Sequence, residues 1–217
     1  MAVNKTLSWR IYGLAAVITL IVFTLGTVVG YVISNEKYNT ITSDMESFQL
    51  QQKDIETEFQ LANSLGSNSC GTLKYEIEKM ANQSDSLGQR LSYYNNEIIR
   101  NPEFVTLKKN YMMNLIQFWS YWEQYKKNCN STVNTVLYFY SINGCSDCQA
   151  QGYVLSFLKT KYPSDIMVFS LDKDEDLYTL NLLKSVYNVT SSPTLIINNK
   201  KYEGLMDTNG LKELLTV

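Results

Sequence analysis

Histidine is absent from this 217-residue sequence. Its absence removes His-based triads, imidazole general-base chemistry and every His-containing metal site. Proline is scarce (three) and glycine modest (ten), which excludes collagen-like and proline-rich low-complexity classes. Neither sign of charge dominates: 19 basic against 21 acidic residues leave a formal net charge of −2. No nucleic-acid partner is expected on that balance. The length allows one or two domains with a buried core. Four cysteines remain as the reactive groups: Cys70, Cys129, Cys145 and Cys148.

One long uncharged run is present, from Ile11 to Ile33. As a helix it measures about 35 Å, enough to cross a bilayer core of about 30 Å. A cleaved signal peptide has a shorter apolar core, about 7–15 residues, and a small-residue cleavage site. The length and the missing cleavage site favour an uncleaved transmembrane anchor. Lys5, Arg10 and the terminal amine precede the run, whereas Glu36 and Lys37 follow it and nearly cancel. The expected topology is a single-pass cell-membrane protein with residues 1–10 cytoplasmic and everything after Ser34 extracytoplasmic. Gly26 and Gly30 form a GxxxG that permits close helix approach, although glycine is common in membrane helices.

Residues 36–128 carry three amphipathic segments with seven-residue periodicity. The first aligns Ile41, Met45, Phe48, Ile55, Phe59 and Ala62, with Gln52 as the polar exception. The second aligns Leu73, Ile77, Met80, Leu87, Leu91 and Tyr94 across Ser84. The third, opened by Pro102, aligns Phe104, Leu107, Tyr111, Leu115, Phe118, Trp122 and Tyr125. Breaks fall at Gly66–Gly71 and Asn95-Asn96. An extracytoplasmic up-down-up helical bundle is expected, with a parallel dimeric coiled coil, and so a homodimer, as the alternative. Trp119 and Trp122 read as packing residues. In such a bundle Cys70, after the first helix, and Cys129, after the third, meet at one end. They are therefore candidates for a structural disulfide, which the oxidising side of a membrane permits.

From residue 132 the pattern becomes α/β. Val136–Tyr140 reads as a buried strand running into Gly144-Cys145-Ser146-Asp147-Cys148. A helix ends near Pro163, Ile166–Leu171 is a second strand and Asp174–Tyr187 a second helix. Thr194–Ile197 and Lys201–Glu203 make a hairpin, and Asp207–Leu215 is the last helix. The order is βαβαββα. A Cys-x-x-Cys at a helix start has a physical basis. Backbone N–H groups and the helix dipole stabilise the first thiolate, and the second sulfur lies one turn inward. Thr190-Ser191-Ser192-Pro193-Thr194 follows some 45 residues later, directly before a strand.

With these motifs the stretch 132–217 resembles the thioredoxin-like superfamily, at close to glutaredoxin size. The resemblance covers about two-fifths of the chain. It implies that Cys145 attacks, that Cys148 resolves, and that Pro193 is a cis-proline shaping a substrate groove. It also implies that the Ser192 backbone meets an extended substrate segment. Three departures stand out. Gly144 replaces a tryptophan, Phe139 occupies the place of a buried aspartate, and Ser146-Asp147 lacks the histidine of strongly oxidising relatives. Water, Asp147 or another carboxylate must then take the Cys148 proton. A carboxylate beside the motif disfavours the thiolate, which favours a reductase or isomerase over an oxidase.

The resulting expectation is a membrane-anchored extracytoplasmic thiol–disulfide oxidoreductase. It acts on cysteine-containing proteins, exchanges electrons with a redox partner and needs no cofactor beyond the Cys145–Cys148 disulfide. A non-catalytic adaptor and a metal site built from the four thiols are the alternatives; no metal is expected without histidine or a second Cys-x-x-Cys. Asn82, Asn130 and Asn188 begin Asn-x-Ser/Thr triplets and indicate surface. The acidic run Asp172–Asp176 reads as a helix N-terminus.

Overall fold

The computed structural model describes residues 9–64, 70–92 and 102–215. The expected break at Asn95-Asn96, Tyr94 of the second seam, and the side chains of the first seam lie outside the described residues. Among the described residues ten elements follow one another: α1 (Trp9–Ser64), α2 (Cys70–Ser92), α3 (Pro102–Cys129), β1 (Asn134–Tyr140), α4 (Ser146–Lys161), β2 (Ile166–Asp172), α5 (Tyr178–Val186), β3 (Thr194–Ile197), β4 (Lys200–Glu203) and α6 (Thr208–Leu215). The chain divides into two compact units, residues 1–64 and 65–217.

Among its described residues the first unit is a single continuous helix. α1 runs for 56 residues, about 84 Å at 1.5 Å per residue. Within it Ile11–Val32 is long and apolar enough to cross a membrane, by length and composition. No helix break separates the apolar run from the amphipathic stretch behind it, so the helix continues through the expected boundary near residue 36. Nothing in those residues stops a helix: the first proline of the chain is Pro102, and no glycine lies between Gly30 and Gly66.

The second unit joins what the sequence pattern separates at 128–132. α2 buries Leu73, Ile77, Met80 and Leu87 against α3, and α3 answers with Leu107, Met112, Leu115 and Phe118. A buried polar knot sits between them: Ser84 Oγ donates to Asn114 Oδ1 at 2.6 Å, and Asn114 Nδ2 donates to Gln83 Oε1 at 2.8 Å. α3 is covered on its other side too, because it packs on β1 and β2. Phe118 meets Phe169 edge-on at 5.3 Å. The expected break at Gly66–Gly71 is also shorter than read, since Cys70 and Gly71 already belong to α2.

The sheet has the order β2-β1-β3-β4. β1 and β2 are parallel, while β3 is antiparallel to both β1 and β4. Alternation along β1 sends Val136 and Tyr138 to one face, where they join Leu155 and Leu158 of α4 and Leu211 and Leu215 of α6. Leu137 and Phe139, fully buried, fall by the same alternation on the opposite face, the one that Phe169 shares with α3. Helices on both faces explain why β1 reads as a continuous apolar run. α5 is shorter than expected. Asp172 ends β2, and Lys173 donates its N–H to the Tyr140 carbonyl at 2.8 Å. The acidic run is therefore strand end and turn, and the helix starts only at Tyr178.

Candidate active site

β1 delivers the chain to the site. After Tyr140 comes the loop Ser141–Gly144, then Cys145 as the N-cap of α4. Gly144 sits at φ +73°, a left-handed conformation that a tryptophan would adopt only with strain. That is the local reason for glycine here. Cys145 and Cys148 are bonded, with S–S 1.96 Å and Cα–Cα 5.4 Å. Cys145 is partly exposed, whereas Cys148 is only 6% exposed. An outside reagent therefore meets Cys145 first. Opened by reduction, the Cys145 sulfur lies at the positive end of α4, where the unpaired N–H groups favour its thiolate.

The surroundings are polar and hydroxyl-rich. Tyr138 Oη donates to the Cys148 carbonyl at 2.5 Å, and the Tyr138 and Tyr140 rings lie 5.7 Å apart. Both phenols line a cleft of about 620 Å³ together with Ser141, Ile142, Cys145, Cys148 and Ser170. Burial, then the charge of Asp172, pushes Tyr140 up to about 12; burial, then Tyr140, does the same to Tyr138. Asp172, opposite Tyr140 in the β1–β2 register, is 3% exposed. Lys108 of α3 meets it at 2.6 Å and Glu175 at 2.8 Å. Ser141 donates to the Asp174 carboxylate and accepts the Asn143 N–H at 3.2 Å. That bond holds the Asp174 carboxyl below its usual range.

The remaining expected residues fall as follows. Ser146 and Asp147 are both exposed, with Ser146 Oγ 3.4 Å from Asp147 Oδ1. Ser192-Pro193 is a cis peptide. Thr194 pairs with Phe139, so Pro193 begins at the end of the sheet where β1 releases its chain toward Cys145. Gly204 donates its N–H to the Pro193 carbonyl at 2.9 Å. Cys70 and Cys129 are bonded, S–S 2.04 Å and Cα–Cα 5.7 Å, joining the start of α2 to the end of α3. Cys129 precedes β1 and Cys145 follows it, so a strand of about 23 Å lies between the two disulfides. Four thiols do not converge on one metal.

Sequence reading missed Lys108, Tyr138, Tyr140, Ser141, Asp172 and Asp174. The tyrosines were legible only as strand residues, and the two aspartates were absorbed into a supposed helix start. Only the fold brings Lys108 to them.

Strand order, the cis-proline opening β3 and the disulfide at the start of α4 coincide in one sheet. Residues 134–215 have a thioredoxin-like fold. Solved structures similar to the chain are thioredoxins. One is the malaria parasite's thioredoxin-2, a component of its protein secretion machinery, with 26% identity over 39% of this chain and 82% of that one, TM-score 0.34. Another is oxidised thioredoxin O2 of Arabidopsis thaliana, with 26% identity over 42% and 79%, TM-score 0.32. A third is the germline-specific thioredoxin Deadhead of Drosophila melanogaster, with 24% identity over 44% and 91%, TM-score 0.32. No protein-family model matches the chain, and no curated protein does. Against the thioredoxin-like pattern the Phe139 departure stands. The side chain is fully buried, its residue lies beside Leu171 and Thr194 in the sheet, and it has no proton to exchange.

Proposed function

We propose that the protein is a membrane-anchored thiol–disulfide oxidoreductase acting on cysteine-containing proteins outside the cytoplasm. The observation that carries this reading is the Cys145–Cys148 disulfide at the start of α4, with its first sulfur accessible and its second buried. In the reductive direction the Cys145 thiolate attacks a substrate disulfide, forms a mixed disulfide and expels one substrate thiolate. Cys148 then loses its proton and attacks the Cys145 sulfur, which re-forms the Cys145–Cys148 bond and releases the second substrate thiolate. Two electrons pass to the substrate, and a dithiol partner must return them. Ser192 and Pro193 stand at the same end of the sheet as binding residues for an extended substrate segment. No cofactor beyond the disulfide takes part. Asp147 in the first turn of α4 supports a reductase or isomerase poise over an oxidising one.

The anchor is Ile11–Val32, and the basic flank before it supports a cytoplasmic N-terminus. The Cys70–Cys129 bond fits an oxidising exterior. Insulin reduction by the 217-residue chain in detergent micelles, with dithiothreitol as donor, tests the activity. Cys145→Ala should abolish turnover, and Cys148→Ala should accumulate a mixed disulfide visible by non-reducing electrophoresis. Full turnover by Cys145→Ala would sink the mechanism.

A further inference from the structure

The proposed mechanism uses Cys145 and Cys148 but gives no role to the lysine that α3 extends toward the same end of the sheet. The Lys108 side chain is 13% exposed, and its Nζ lies 2.6 Å from Asp172 Oδ2 and 2.8 Å from Glu175 Oε1. A largely covered charge is costly unless it is paired, and here it is paired twice. Asp172 Oδ1 accepts the Asp174 N–H at 3.2 Å, while the Glu175 N–H reaches the Asp172 carbonyl at 3.2 Å. These bonds set the turn at residues 172–175. From that turn the Asp174 carboxylate takes the Ser141 hydroxyl. Ser141 Oγ in turn receives the Asn143 N–H, two residues before Cys145. An unbroken series of polar contacts thus runs from α3 to the loop that aims the attacking sulfur.

We propose that Lys108 is a positioning residue for Cys145. Through the turn at 172–175 and Ser141 it holds the loop Ser141–Gly144 so that Cys145 stays at the N-cap of α4. The proposal rests on the redox reading of Cys145–Cys148 and adds α3 to that site. Without Lys108 two carboxylates face each other uncompensated and the turn loses its anchor. Both effects disfavour the Cys145 thiolate. Ser141 separates them, because its removal releases the loop without changing any charge. The other charges near this region are Lys173, whose Nζ lies 3.4 Å from Asp174, Lys184 of α5, whose Nζ donates to the Lys173 carbonyl at 2.8 Å and whose charge also acts on Asp174, and Asp147 on the first turn of α4.

The test uses the 217-residue chain in detergent micelles, reduced at its Cys-x-x-Cys. Two quantities are read: the iodoacetamide alkylation rate of Cys145 against pH, and the equilibrium of the pair with dithiothreitol. Lys108→Met and Ser141→Ala should each slow alkylation at pH 7 by about threefold to tenfold. Each should also move the dithiothreitol equilibrium toward the disulfide by up to about tenfold, about 30 mV for this two-electron couple. Lys108→Arg should stay near wild type. The double variant Lys108→Met/Ser141→Ala should show no more than the larger single effect, since both break one series of contacts. Wild-type rates in Ser141→Ala, or additive effects in the double variant, would overturn the proposal. If Lys108→Met loses its near-ultraviolet circular dichroism, Ser141→Ala and Lys108→Arg decide. A wild-type pair that does not exchange with dithiothreitol defeats the proposed function itself. A cycling wild type with unchanged variants defeats the positioning role alone.

Discussion

Gly144, Tyr140 and Lys108 each answer to a local cause that a single substitution can test. At φ +73° Gly144 occupies a conformation that costs other residues about 1–2 kcal/mol. Its missing Cβ has open space around it, so the cost of Gly144→Ala is conformational and not steric. We expect a loss of about 1 kcal/mol in urea unfolding; no loss would mean that the loop relaxes freely. The two cleft tyrosines, both pushed up to about 12, should be among the last to ionise in an absorbance titration at 295 nm. Tyr140→Phe should delete one component of that late step. For Lys108, burial lowers the pKa, but the hydrogen bonds and charges of Asp172 and Glu175 outweigh it and leave the group raised above 10.5. A pKa higher in the folded state than in the unfolded one stabilises fully below 10.5 and loses that contribution as pH rises through the raised value. The attachment of α3 should therefore weaken in strong alkali only, read as a fall in the urea midpoint above pH 10.5 that is smaller in Lys108→Met.

Among the elements, the α2–α3 hairpin departs most from the pattern-based reading. Its seams were legible: Leu73, Ile77, Met80 and Leu87 recur at helical spacing and are buried in the structure. What they bury against was not legible, because an apolar stripe does not name its partner. α3 is covered by α2 on one side and by the sheet on the other, so it serves as a helical layer of the α/β unit. The Cys70–Cys129 bond closes that hairpin at its open end. With a sequence separation of 59, loop-closure entropy puts its contribution at up to about 4 kcal/mol. Cys70→Ser/Cys129→Ser should lower the urea midpoint accordingly while leaving insulin reduction measurable at low temperature. An unchanged midpoint would show that α2 and α3 hold without the bond. The bond should also survive a dithiothreitol concentration that opens Cys145–Cys148, as structural disulfides have the lower potentials. Mass spectrometry after differential alkylation reads both outcomes.

For the whole molecule, the proposed function assigns anchoring to the first unit and chemistry to the second. A chain lacking residues 1–33 should leave the membrane fraction on ultracentrifugation, because the apolar run Ile11–Val32 is the segment long enough to hold it there. Protease added to intact cells should digest the α/β unit. Protection until the membrane is permeabilised would reverse the proposed sidedness.

Elements whose signals are local were legible in the residue order. The apolar run reads from its length. The order βαβαββα reads from short β-branched and aromatic runs alternating with helical spacing. Cys145, Cys148 and Pro193 read from motif spacing. Hydrophobic period, turn chemistry and helix starts depend on neighbours a few residues away, so one sequence suffices for them. Long-range packing set which side of α3 meets the sheet, brought Lys108 to Asp172 across 64 residues, and made the acidic run end a strand instead of opening a helix. These facts follow from contacts between distant segments, and an amphipathic pattern states which residues seek cover without stating what covers them.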